Sequence, residues 1–444
     1  MKKNDYLDLK CTYLSSDAKG VCKTDDFCFY VDNLLPNESC NAIVEGIKGK
    51  TVYARVMELN NKSVDRVDVN CNSYEKCGGC NLLHLKYFKQ LEFKKNNIHL
   101  LFKNKGINAN VLEVIGMNNP FNYRNKVIAS VSLNNKKIVY GMYEENSHDV
   151  VYNKNCLIQN KKLNELLISI KEELDKLKIK PEGFGGVLRH IMMRIGINTN
   201  EVLIVFVTNS EMFPGRNELV KALTKKHKEI KTIIQNINPR ITPIVFGNKE
   251  RVLYGSGFIT DKLLNNSYKI SYRSFYQVNP IQTEILYKKA IELANLNKNE
   301  VVLDCYCGIG TISLSLAKQV RRVIGVEIVK EAVNDAINNS KHNNIFNTKF
   351  ICDDCKKFMN NYNGIIDTLF VDPPRSGLDN EFIKSVRRLK PNKIIYISCN
   401  PTTQVDDISK LLDLYNIKEV QPVDLFPNTI HIETVVLLTL KTPK

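Results

Sequence analysis

From about residue 271 the chain alternates short apolar runs with longer segments whose apolar residues recur at helical spacing. The runs fall at 301–304, 323–327, 349–352, 368–372 and 394–398. Strands alternating with helices predict a mostly parallel, doubly wound α/β sheet. The run 433–440 predicts a closing strand, antiparallel to the rest. The first seventy residues have another rhythm. Short β-type runs at 27–31, 42–47 and 51–56, with a turn at Leu35-Pro36-Asn37-Glu38, predict a small β-barrel. Between these regions, strand-like runs at 127–131 and 202–207 flank a polar helix at 163–178, and a basic amphipathic stretch covers 87–103. The pattern divides the chain into a barrel over 1–65, a mixed α+β region over 66–270 and a Rossmann-like domain over 271–444. No internal repeat or low-complexity linker interrupts it.

No run of about 18 consecutive apolar residues is present, so no membrane-spanning helix is expected. The polar start Met1-Lys2-Lys3-Asn4-Asp5 lacks the apolar core of a signal peptide. These features predict a cytoplasmic protein with no membrane partner. In a reducing compartment, thirteen cysteines point to metal binding or catalysis rather than to disulfides.

The formal net charge of +16 makes a polyanionic partner plausible, although a lysine-rich surface alone can give that value. Its distribution is more informative. Residues 1–70 carry ten basic and eleven acidic side chains, whereas residues 81–137 carry ten basic and two acidic. The excess is local, as an electrostatic footprint for nucleic acid is.

The first run of the doubly wound region ends in Asp304-Cys305-Tyr306-Cys307-Gly308-Ile309-Gly310. Two glycines let the backbone approach a ligand closely. Glu327 ends the next strand, where an acid commonly meets ribose hydroxyls. Position 313 is Ser, so the third glycine of a dinucleotide fingerprint is missing. An acid at the strand end followed by two glycines suits S-adenosylmethionine better.

Cys399 follows the apolar run at 394–398, downstream of Asp372-Pro373-Pro374-Arg375. A thiol at a strand end suits a nucleophile that adds to a flat heterocycle. Carbon 5 of a pyrimidine is a poor nucleophile until a thiolate adds at carbon 6. A base must afterwards remove the carbon-5 proton. Cys399 is the candidate thiol, Asp372 the candidate partner for the base edge, and Glu433 the candidate proton acceptor. A lone cysteine is more often a buried structural thiol. Three such groups in this order make the chemical reading the stronger one.

Cys71-x5-Cys77-x2-Cys80, with Cys156 further on, makes a four-thiol set. Such a set suits a [4Fe–4S] cluster or zinc, and spacing does not separate them. Cys352-Asp353-Asp354-Cys355 has metal-like spacing without a second pair and reads as ordinary thiols.

With these motifs in place, the chain resembles the RNA (uracil-5-)-methyltransferase family over nearly its whole length, and within it the iron–sulfur 23S rRNA branch. Residues 1–60 resemble a TRAM domain. Pro120-Phe121-Asn122-Tyr123-Arg124-Asn125-Lys126, Leu188-Arg189-His190 through Arg194, Ser274-Phe275-Tyr276-Gln277-Val278-Asn279 and Phe426-Pro427-Asn428-Thr429-Ile430-His431 are similar to the family's segments. The resemblance implies S-adenosylmethionine contacts from Gln277, Tyr306, Thr311, Glu327 and Asp353, and a [4Fe–4S] cluster on Cys71, Cys77, Cys80 and Cys156. It implies that Cys399 is the nucleophile, Glu433 the base, and Asp372 a group on the cofactor or uracil side. It also implies a structured RNA substrate, foremost 23S rRNA, with no obligate protein partner evident. The acidic balance of the N-terminal segment is unlike a strongly basic barrel, which places more of the expected RNA grip on 81–137. A tRNA substrate, and a non-catalytic RNA-binding module on a methyltransferase fold, are the alternatives.

Overall fold

The computed structural model describes residues 1–144, 147 and 149–441. At the N-terminus, six strands form one sheet in the order Tyr6–Lys10, Ser39–Lys48, Thr51–Asn61, Cys28–Asp32, Gly20–Lys23 and Tyr13–Leu14. All pairings are antiparallel except Cys28–Asp32 with Thr51–Asn61. The sheet wraps a small core of Val31, Leu34, Cys40, Ala42, Val44 and Val52. The expected barrel does not close. Just past Tyr6–Lys10, Cys11 donates its N–H to the Glu38 carbonyl (2.8 Å) and its own carbonyl accepts from Asn37 N–H (3.1 Å), which extends the pairing with Ser39–Lys48, while Tyr13–Leu14 pairs with Gly20–Lys23 at the other edge.

A second sheet of seven strands runs Lys249–Gly255, Ile230–Ile237, Val202–Thr208, Leu188–Ile195, Lys126–Asn134, Lys137–Tyr143 and Val150–Tyr152. Val202–Thr208 is buried at every residue, as expected for an unbroken apolar run. Its Val202, Ile204 and Phe206 pack under the helices Lys161–Lys176 and Arg216–Lys226. Its Leu203, Val205 and Val207 share a core with Tyr287, Val302 and Phe370 of the C-terminal region. The two regions are therefore joined through an apolar interior.

The third large sheet has the order Thr348–Cys352, Arg322–Glu327, Val301–Cys305, Thr368–Val371, Lys393–Ser398, Glu433–Leu440 and Tyr415–Val423. The first five are mutually parallel. Glu433–Leu440 lies antiparallel between Lys393–Ser398 and Tyr415–Val423. The doubly wound expectation holds, and the closing strand is antiparallel as read. Strand order reverses between Val301–Cys305 and Thr368–Val371, which opens a crevice beyond their carboxyl ends.

The basic amphipathic stretch is the helix Tyr87–Asn104, and its stripe points inward. Gln90, Lys94, Ile98 and Phe102, spaced four apart, are its buried residues. Four of the ten basic residues in 81–137 form ion pairs: Lys89 with Glu92, Lys94 with Asp424, Lys95 with Glu113 and Lys105 with Asp406. Part of the local positive excess thus holds the fold together instead of facing a polyanion. Among the described residues no helix is long and apolar enough to cross a membrane.

Candidate active site

Register places the candidate catalytic groups. Val302 lies beside Thr368, Phe370 beside Ile395, and Ile397 beside Val435. Val302, Phe370, Ile395, Ile397 and Val435 all enter the core under the helix Pro280–Ala294, while Leu303, Leu369, Tyr396 and Val436 enter the core of the opposite face. Side chains alternate along a strand. One step of two residues towards the carboxyl rim reaches Asp304, Asp372 and Cys399. Glu433 stands two residues before Val435 on the antiparallel strand. Three carboxyls and a thiol therefore emerge on one face at one rim of the sheet.

The turn and caps around them are held tightly. Asn400 caps the helix Pro401–Ser409, with its side chain accepting from Thr402 N–H, and Pro401 stands in the first turn. Asn400 Nδ2 and Thr403 Oγ1 donate to the Arg375 carbonyl at 2.9 and 3.2 Å. The Asp372-Pro373-Pro374-Arg375 turn is thereby tied to the segment carrying Cys399. Thr434 Oγ1 donates to Gln404 Oε1 (2.6 Å), and Gln404 Nε2 donates to the Tyr396 carbonyl (2.8 Å), so the strand of Glu433 is locked to that of Cys399.

Burial sets the protonation of these groups. Glu433 is 2% exposed. Burial holds its carboxyl well above the usual carboxylate range, Asp372 adds to this, and Arg375 opposes it. Burial also raises the Cys399 thiol, with further contributions from Glu433 and Asp372, while a hydrogen bond and the charge of Arg375 pull it down. Asp372 keeps some residue surface, but its carboxyl is enclosed, and burial with the neighbouring Asp304 pushes it up to about 7. Asp304 is likewise pushed up to about 7 by burial, against hydrogen bonds from Ser313.

The other predicted contacts line the same rim. Gln277 and Thr311 border one small cleft with Phe275, Tyr276 and Tyr287. Glu327 accepts from Gly308 N–H at 3.1 Å and from Val329 N–H at 2.9 Å, fastening the glycine loop to the next strand. Gly310 has φ +82°, and a Cβ there would stand 2.9 Å from the Phe350 ring, so the loop requires glycine at this point. Asp353 donates its N–H to the Glu327 carbonyl (3.1 Å). Tyr306 adopts φ +65°, and its ring packs towards Phe382, on the face away from Tyr287. The geometry adds Asp304, Tyr287 and Arg375 to the set read from sequence. Asp304 carried a signal as the acid ending an apolar strand. Tyr287 carried none, because a buried tyrosine on a helix looks like core.

Cys71, Cys77, Cys80 and Cys156 line a single cavity of about 330 Å³ together with Arg124, Lys126 and Val278. Among the described residues no three His, Cys, Asp or Glu side chains are grouped to hold a metal ion. Burial raises Cys77 and Cys156 and pushes Cys80 up to about 12, with the other thiols of the set adding to each shift.

A sequence profile of the tRNA (Uracil-5-)-methyltransferase family matches residues 86–441. The chain belongs to this family. An uncharacterized RNA methyltransferase of Listeria innocua is 42% identical over 99% of both chains. One from Halalkalibacterium halodurans is 40% identical over 99% of this chain and 98% of its own. Among solved structures, the Pyrococcus abyssi tRNA (uracil-54, C5)-methyltransferase in complex with S-adenosyl-L-homocysteine superposes with a TM-score of 0.79. It is 28% identical and covers 98% of this chain and 100% of that one. The rim that carries Asp304, Asp372, Cys399 and Glu433 lies within the matched segment.

Proposed function

We propose that this family member methylates carbon 5 of a uridine in structured RNA, foremost 23S rRNA, through a covalent adduct on Cys399. The observation that carries the reading is the register that sets Cys399 opposite Glu433, next to Asp372, on one rim. S-adenosylmethionine, when bound, supplies a methyl group on a cationic sulfur. Cys399 thiolate adds to uracil C6, and the electron pair of the C5–C6 double bond moves to C5. The adduct's C5 takes the methyl group. Glu433 then accepts the C5 proton, the double bond reforms, and the C6–sulfur bond breaks. Asp372 and Arg375 border this site and hold the uracil edge. Gln277, Thr311, Glu327, Asp353 and the loop at Tyr306 are the residues that would hold the methyl donor, with the glycine loop fastened by Glu327.

The four cysteines are proposed, on the family resemblance, to hold a [4Fe–4S] cluster. They line one cavity, and Arg124 and Lys126 beside them would offset the negative charge of four thiolates, but the side chains are not grouped to hold a metal ion as they stand. Methyl transfer needs no electron from such a cluster, so its proposed role is to hold the central region. The six-stranded N-terminal sheet, residues 1–65, is proposed as a TRAM-like RNA-binding unit ahead of a central region to 270 and the methyltransferase domain from 271 to 444. The protein works in the cytoplasm on this reading.

A tRNA substrate is the second reading, supported by the full-length likeness to the Pyrococcus abyssi tRNA enzyme. Tritium release from [5-³H]uridine-labelled 23S rRNA and tRNA decides between them. Release from 23S rRNA that vanishes in Cys399→Ala is the expected result. Release from tRNA alone keeps the mechanism and overturns the substrate. Release that persists in Cys399→Ala overturns the mechanism.

A further inference from the structure

The rim holds more buried acid than the proposed chemistry uses. Glu433 is the base and Asp372 borders the uracil, yet Asp304 is also on this face and is 1% exposed. Its Oδ1 is buried with no hydrogen-bond partner, and its Oδ2 accepts from Ser313 Oγ. Ser313 sits in the helix Thr311–Ala317 that follows the glycine loop, so Asp304 is tied to the wall of the donor cleft. Charged and titratable groups from every neighbouring element face this cluster. Glu327 and Cys307 act on or feel Asp304 from the adjoining strand end and the glycine loop. Tyr287 faces Asp304, Asp372 and Glu433 from the covering helix. Tyr396, Cys399 and Arg375 complete the set around Asp372 and Glu433. Arg375 is the one cation among the groups named here, against Asp304, Asp372, Glu433 and Glu327.

We propose that Asp304, acting with Asp372 and Glu433, is the positioning residue that distinguishes a cationic sulfonium methyl donor from its neutral thioether product, and that these carboxyls release protons when the donor binds. The inference deepens the methyl-donor reading above and rests on it. A buried carboxyl oxygen without a partner is costly. A positive charge beside it favours the ionised form, whereas a neutral sulfur does not. S-adenosylmethionine and S-adenosylhomocysteine differ only in that methyl group and charge, so their shared amino-acid and adenosine parts cancel in the comparison.

The direction of the proton coupling follows from the raised carboxyls. With no cation beside them, Asp304 and Asp372 are pushed up to about 7 and hold protons below that pH. A cation beside them lowers both, so protons leave on binding below that pH and none leave well above it. The carboxyls therefore favour the sulfonium increasingly as pH rises from 6 to 8. They regain their high proton affinity once the sulfur is neutral. That is the moment at which the C5 proton needs an acceptor, and Glu433 belongs to the same cluster. The proton taken there returns to solvent when the next sulfonium is bound.

Titration calorimetry of the wild-type protein with S-adenosylmethionine and S-adenosylhomocysteine, in two buffers of different ionisation enthalpy, counts the protons. At pH 6.5 the sulfonium is expected to release more protons than the thioether, and its affinity should rise about tenfold from pH 6 to 8 while that of the thioether changes little. Asp304→Asn should weaken the sulfonium about tenfold, leave the thioether unchanged and reduce the proton release. Ser313→Ala, which removes the hydroxyl bonded to Asp304, should move the pH profile of sulfonium binding to higher pH. A purely structural Asp304 would not produce that shift. Equal proton release with both ligands, or equal weakening of both in Asp304→Asn, overturns the proposal while leaving the methyl-donor reading intact. Failure of both ligands to bind wild type overturns the two together.

Discussion

The candidate catalytic rim and the cysteine cavity both place thiols beside charged groups, but they are held by different physics. At the rim, Cys399 and Glu433 sit at the ends of strands whose ladder runs through six registered pairs, from Lys393 opposite Thr439 to Ser398 opposite Thr434. A slip of one residue would move every side chain to the other face. At the cavity, Cys71, Cys77 and Cys80 lie outside the named strands and helices, and so does Cys156. There the geometry depends on a few side-chain bolts. Asn428 is the main one. Its carbonyl accepts from Asn81 and Leu82 N–H, both at 3.1 Å, its N–H donates to Gln90 Oε1 (2.9 Å), and its Nδ2 donates to the Pro120 carbonyl (2.8 Å). Asn428 stands five residues before Glu433, so the loop-built region is fastened to the register-built one. Tyr123 adds a bond to the Pro427 carbonyl (3.0 Å), and Asn125 Nδ2 reaches the Gln277 carbonyl (3.2 Å).

The largest effects are expected at the rim. Glu433→Gln should reduce turnover by about 10²- to 10⁴-fold while leaving Cys399 able to add. A methylated RNA–protein adduct stable on a denaturing gel is the expected signature. Its absence, with normal RNA binding, would remove Glu433 from the role of base. The pH profile sharpens the same point. Both the Cys399 thiol and the Glu433 carboxyl are raised by burial. Both must be deprotonated to act, so kcat should rise with pH across and above neutrality. A rate that is flat or falls over that range would contradict the assignment.

In the cavity, Cys77→Ser is expected to lower solubility or RNA binding, measured by expression yield and filter binding. A variant that folds, binds RNA normally and loses only turnover would contradict a structural role. The bolts between the regions come next. Lys94 and Asp424 form an ion pair at 2.7 Å with side chains 1% and 0% exposed, and Tyr87 OH donates to the same Asp424 (2.9 Å). Lys94→Met leaves a buried carboxylate without its cation and should cost about 3–5 kcal/mol in denaturant unfolding. The double change Lys94→Met with Asp424→Leu should cost less.

The smallest effect concerns Asp304 and stability. A buried carboxyl whose pKa is raised from 3.8 to about 7 favours folding only while it holds its proton. Its contribution is fully present below the unfolded value near 3.8 and is lost as pH rises towards 7. Asp304→Asn should therefore gain unfolding free energy relative to wild type as pH rises from 5 to 8, on the order of a few kcal/mol at most. No pH-dependent difference would mean that Asp304 is not buried as described.

Much of this was legible along the chain. The strands at 301–305 and 393–398 were readable because an apolar run bounded by a glycine loop or an Asn-Pro helix start has few other folds to adopt. Cys399, Glu433 and Asp372 could be picked out by residue type and order, since the chemistry needs a thiol, a base and a polar edge. The strand Tyr415–Val423 was missed, since Lys418, Glu419 and Gln421 break its apolar pattern. More of the expected RNA grip was placed on 81–137, and sequence cannot reveal that Lys94 within that stretch has a buried partner 330 residues away. The open N-terminal sheet was equally hidden, because short β-type runs do not state which strand edges pair.

Local order in the chain thus singled out the candidate chemical groups. Tertiary structure decided which of them meet. Alternation along a strand is intrinsic to the backbone, so each residue's face follows from its neighbours. Pairing between strands, and the loss of water that raises Asp304, Asp372 and Glu433 together, arise only when distant segments pack.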